Sequence, residues 1–121
     1  MYIVFIALAG LAEAVMDTIQ FHYSISIFSK FKAKFWDPTI SWRNKYKGGE
    51  PAAGPKFWGS TTIFVGLTDG WHLFKLIRNL FLFIAIFCIA YNYCGLWSAA
   101  LHTVIARVVY GLSFTVFYKT L

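Results

Sequence analysis

The sequence predicts an all-α integral membrane bundle: three transmembrane helices, with a long basic and aromatic loop between the first two. Three observations carry this expectation. Hydrophobic residues make up 59% of the 121-residue chain and charged residues only 13%. A soluble domain carries about 25% charged residues, and a globule of this size cannot hide so much apolar surface from water. The apolar residues also fall into three runs, each able to supply the roughly 20 helical residues that cross a hydrocarbon core. Finally, Lys30, Lys32, Lys34, Arg43, Lys45, Lys47 and Lys56 all lie between the first two runs, the bias of a cytoplasmic loop. A soluble monomer, a disordered tail and a disulfide-stapled secreted module are excluded. The chain reads as one membrane domain over residues 1–121.

The first helix is expected over about 2–36. Its apolar part, about 2–28, contains no Lys or Arg. No basic segment leads it, and Glu13 and Asp17 interrupt it, so it reads as a retained span rather than a signal peptide. Phe28, Phe31 and Phe35 then recur at i, i+3 and i+7 among lysines, the pattern of an interfacial helical extension. Asp37-Pro38 ends it, because a residue before proline avoids the helical region. Residues 37–59 form a loop rich in turn formers, notably Gly48-Gly49-Glu50-Pro51 and Gly54-Pro55. Loops of this length are usually functional or disordered.

Ser60 reads as the N-cap of a second helix over about 60–93. Lys75 and Arg78 snorkel toward its basic end; a fourth short span through 60–72 is the competing arrangement. Asn92-Tyr93-Cys94-Gly95 supplies a turn over 92–96, and a third helix follows over about 96–118, ended by Lys119. The basic loop and Lys119 belong on the cytoplasmic side, which places the N-terminus outside and the C-terminus inside, as in a bacterial-type inner membrane. Trp36, Trp42, Trp58 and Trp71 flank that side, and Tyr91, Tyr93 and Trp97 the other. Cys88 and Cys94 share one apolar run without metal-finger spacing and read as reduced packing residues.

The net charge is +6, which in a soluble protein would raise nucleic acid as a partner. No nucleic-acid-binding signature accompanies it, and no such partner is expected. The cations instead face the anionic headgroups of the bilayer.

Charges inside a span are costly and point to function or assembly. Glu13, Asp17, Gln20 and Ser24 recur at i, i+4, i+7 and i+11, one helical face. Asp69, His72, Lys75 and Asn79 lie close to one face of the second helix. Antiparallel register sets Asp17 opposite Arg78 and Asn79, and His22 near His72, while the third helix brings Arg107 to the level of Glu13. Two clusters follow: a Glu13–Arg107 intramembrane ion pair, and Asp17, His22, Asp69 and His72 toward the basic side.

Two carboxylates and two imidazoles suit a divalent metal such as zinc, iron or manganese. A metal there would activate water beside the headgroups. In that reading Asp17, His22, Asp69 and His72 are the ligands or catalytic groups of a membrane enzyme, a hydrolase acting on a lipid or lipid-linked substrate. Against it, His22 stands about 140° around the helix from Asp17, and no HExxH or CxxC motif is present. The alternative is that Asp69 and His72 cap a helix end beside Lys75. No nucleophile elbow, Walker loop or Rossmann fingerprint occurs. The leading expectation is a small polytopic protein whose polar helix faces serve assembly, as a homo-oligomer or with other membrane subunits. The metal-dependent enzyme is the second, and a proton or ion pathway through Glu13, Asp17 and Arg107 the third.

Overall fold

In a computed structural model the backbone of residues 1–120 is described, with the side chains of residues 1–109 and of Leu112. The side chain of Lys119, used above for orientation, lies outside them. Among the described residues the chain is all-helical, apart from an isolated bridge between Tyr46 and Pro55. We label the α-helices α1 (Tyr2–His22), α2 (Ala33–Trp36), α3 (Pro38–Ser41) and α4 (Gly70–Thr120). Two helices are long and apolar enough to cross a membrane. They cover Tyr2–Ile25, with mean hydropathy 1.8, and Gly70–Val109, with mean hydropathy 2.1. Only 22% and 11% of their apolar windows is buried within the chain.

The chain divides into two compact units, Ala9–Asn79 and Met1–Leu8 with the residues from Leu80 onward. In the first unit α1 ends at His22, not near residue 36. Serines account for the early stop: the hydroxyls of Ser26 and Ser29 donate to the carbonyls of Tyr23 and Ser26, and Ser26 Oγ also accepts from the Phe28 amide. Such bonds replace the helical ladder with short turns, here 3-10 turns over Tyr23–Ile25 and Ile27–Lys30. The phenylalanines expected on a helical stripe converge instead on the Trp36 ring. Phe28 stacks on it at 5.0 Å, with Phe35 at 5.3 Å, Phe31 at 5.9 Å and Phe74 of α4 at 6.2 Å.

The stretch expected as loop 37–59 is ordered by hydrogen bonds of its side chains and its backbone. Asp37 Oδ1 accepts from the Thr39 amide, and Pro38 opens α3, a favourable first helical position for proline. The amides of Lys47 and Lys56 donate to Gly54 and Lys45, closing a small hairpin. Asn44 Nδ2 donates to the carbonyls of both Lys34 and Thr68, tying α2 to the approach to α4. Ser60 caps no helix. It is fully buried, and its hydroxyl donates to the Lys45 carbonyl. Helix α4 starts ten residues later, where Asp69 takes the cap. Gly70 is required there because the Trp36 ring packs on it: a Cβ at this position would lie 2.6 Å from a ring carbon.

In the second unit Phe5 meets Phe81 at 6.1 Å between ring centroids. Backbone geometry breaks at Gly95, with φ 75° and ψ 178°, inside the turn expected at 92–96. The Arg107 guanidinium lies 5.7 Å from the Phe83 ring centroid. Those residues would be about 36 Å apart along an unbroken helix, so α4 doubles back at Gly95, midway between them. Only glycine takes that backbone conformation without strain.

Candidate functional site

The site residues expected from sequence fall into three arrangements, and the first is built by the start of α4. Asp69 is the residue before its first turn and is 2% exposed. Its Oδ1 accepts from the His72 amide at 2.9 Å, the bond an N-cap makes with the third helical residue. Its Oδ2 accepts from His72 Nδ1 at 2.8 Å. The same oxygen lies 3.3 Å from the Thr68 hydroxyl, which donates to the Val65 carbonyl. One carboxylate therefore holds both the helix end and the imidazole ring. With its proton on Nδ1, the ring keeps Nε2 as an acceptor. His72, a quarter exposed, borders a small cleft of about 90 Å³ with Gln20, Ser41, Trp42 and Trp71.

The second arrangement joins α1 to α4. Arg78 Nη1 donates to Glu13 Oε2 at 2.6 Å, and Arg78 Nε and Nη2 both donate to Asn79 Oδ1. Gln20 borders the cleft at Trp71 and His72. As α1 advances from Glu13 to Gln20, its neighbours on α4 thus step back from Arg78 to Trp71, which is an antiparallel pairing. The pairing is shifted one helical turn from the sequence register, which set Asp17 rather than Glu13 opposite Arg78. Glu13 was expected to pair with Arg107, but Arg78 holds it. Arg107 lies against Phe83.

Asp17 and His22 complete the expected set. Both are exposed, and among the described residues no ion pair or hydrogen bond engages either side chain. Asp69 and His72 are brought together, but Asp17 and His22 do not join them: no three His, Cys, Asp or Glu residues among those described form a metal-binding group. Two donors fall short of the three protein ligands of a catalytic zinc centre. Lys75, expected beside this helix end, has its ammonium 5.1 Å from the Trp71 ring centroid.

A third arrangement has no counterpart among the expected site residues. Lys32, Lys34 and Lys56 line an open cleft of about 230 Å³ with Asn44, Phe35 and Phe57. The sequence signal was the density of lysines alone. Which of them share a cleft depends on Asn44, whose two long-range bonds no periodicity reveals.

What the dyad can do chemically is limited but definite. A buried carboxylate that fixes the Nδ1 tautomer leaves Nε2 able to take a proton. The same geometry also completes a helix cap. Comparison with family models, curated proteins and solved structures found no match.

Proposed function

We propose that this chain is a polytopic membrane protein of three spans whose polar helix faces serve assembly, with further copies of itself or with other membrane subunits. The observation that carries the reading is Asp17. It sits within the apolar stretch Tyr2–Ile25, and its carboxylate is exposed and unpaired among the described residues. One turn earlier, Glu13 on the same face is matched by Arg78. An unpaired carboxylate facing hydrocarbon costs on the order of 3 kcal/mol; a polar partner on another subunit removes that cost.

Length supports three spans. The 51 residues of α4 would measure about 77 Å as one rod, more than twice the bilayer core. The reversal at Gly95 yields two segments of some 25 residues, each long enough to cross. The lysine-rich segment between α1 and α4 then lies on the cytoplasmic side, with the N-terminus outside.

The test is subunit counting by single-molecule photobleaching of the full chain in liposomes. Wild type is expected as a defined oligomer, and Asp17→Leu is expected to change the subunit number. A wild-type chain that stays monomeric, both alone and when recovered from its native membrane, would overturn the reading.

A second reading, an enzyme acting on lipid or lipid-linked substrate at this interface, is favoured by the Asp69–His72 dyad beside Ser41. It predicts a hydrolytic activity that His72→Gln abolishes while the fold persists. Hydrolysis unchanged by His72→Gln would remove it.

A further inference from the structure

We propose that the cleft lined by Lys32, Lys34 and Lys56 binds the phosphate headgroup of an anionic membrane lipid. Three features converge there. The lining holds three cations and no carboxylate: Asp37, three residues after Lys34, accepts from the Thr39 amide and hydroxyl, and Asp69, next to Thr68, is committed to His72 and the start of α4. A phosphate entering the cleft therefore meets uncompensated positive charge.

The frame is also fixed. Asn44 spends both of its amide bonds on the carbonyls of Lys34 and Thr68, and the Lys56 amide is bonded to Lys45. The Lys32 carbonyl accepts from the amides of Phe35 and Trp36, so the backbones carrying the three lysines are held while the ammonium groups remain free to adapt. Phe35 and Phe57 line the same cleft, giving an apolar wall for the glycerol and upper acyl carbons that accompany a lipid phosphate and are absent from a soluble one.

Depth points the same way. Thr68, which also lines the cleft, stands two residues before the apolar span that begins at Gly70, so the lysines lie at the level where phospholipid phosphates sit. Clustered lysines just outside a span attract anionic lipid. The cleft concentrates that attraction on one molecule.

The inference rests on the membrane placement above, so the first control is extraction: the chain must leave its host membrane with detergent and not with alkaline carbonate. The full chain in neutral detergent is then melted against increasing short-chain phosphatidylglycerol, phosphatidylcholine or inorganic phosphate. Phosphatidylglycerol is expected to raise the melting temperature saturably, with the other two leaving it unchanged. The triple variant Lys32→Ala/Lys34→Ala/Lys56→Ala is expected to bind roughly a hundredfold more weakly, the scale of three juxtamembrane lysines. The equally charged control Lys30→Ala/Lys45→Ala/Lys47→Ala should keep its affinity within threefold. Equal loss in both triples means attraction to the whole loop and overturns the site. A shift with inorganic phosphate as large as with the lipid overturns the lipid assignment, and no shift with any ligand overturns both. Native mass spectrometry of lipid retained by each variant reads the same outcome if the cleft triple melts too low for titration.

Discussion

Breaking the Glu13–Arg78 bridge tests how α1 is held to α4. The pair is close, at 2.6 Å, but uneven: the Arg78 side chain is 16% exposed and that of Glu13 46%. A hydrogen bond between charged groups contributes about 1.5–3 kcal/mol, and a solvent-screened surface pair about 0.2–1 kcal/mol. The half-exposed Glu13 side chain brings the coupling down to about 1–1.5 kcal/mol. The single substitutions should differ. Glu13→Leu removes one carboxylate and leaves Arg78 its bonds to Asn79, at a cost of about 1–2 kcal/mol. Arg78→Leu strands both Glu13 and the Asn79 carbonyl oxygen, and should cost about 2–3 kcal/mol.

The assay is a double-mutant cycle by reversible denaturation in mixed micelles. A parallel cycle with Arg107→Leu is the control. Arg107 touches the Phe83 ring, so its loss should add to that of Glu13 within about 0.5 kcal/mol. Coupling of Glu13 to Arg107 that equals or exceeds its coupling to Arg78 would refute the pairing and restore the ion pair read from the sequence.

Two further outcomes follow from the start of α4. Gly70→Ala should destabilise the protein by about 1–3 kcal/mol in the same denaturation assay, because its Cβ would meet the Trp36 ring at 2.6 Å and the ring is hemmed by four phenylalanines; alanine is otherwise the better helix former, so stabilisation would contradict the packing. Asp69→Ala should cost about 1–2 kcal/mol as a lost cap, and Asp69→Asn, which keeps Oδ1 as acceptor for the His72 amide, should recover most of it. Equal loss in both variants would mean that the ionised carboxylate on the imidazole, rather than the cap, holds this helix end.

What the sequence made legible was set by how local each signal is. The apolar runs place α1 and α4, because length and hydropathy need no partner. The 92–96 turn is readable from Asn92-Tyr93-Cys94-Gly95, since the positive φ at Gly95 is a property of glycine itself. Ser60 misled because a serine before an apolar run has the same composition whether it caps a helix or is buried against the Lys45 carbonyl. Asp69, nine residues later, carries the same capping chemistry, and its residue type alone leaves a cap and a metal ligand both open. The aromatic stripe at Phe28, Phe31 and Phe35 is consistent with a helix, yet Ser26 and Ser29 break the ladder and Trp36 gathers the rings. Register between helices was the weakest signal: an error of one turn is enough to exchange Asp17 for Glu13 opposite Arg78. No spacing rule could draw Lys32, Lys34 and Lys56 into one cleft, because the bonds that do so run from Asn44 to residues 10 and 24 positions away.

The three-span arrangement is tested most directly by labelling intact cells with a membrane-impermeant maleimide. In a Cys88→Ser background, the exposed Cys94 beside the Gly95 reversal is the one remaining thiol. It should be labelled from outside, while Lys47→Cys in a Cys88→Ser/Cys94→Ser chain should be labelled only after the membrane is opened. Labelling of Lys47→Cys in intact cells with Cys94 protected would invert the orientation, and labelling of both positions from the same side would contradict the three spans.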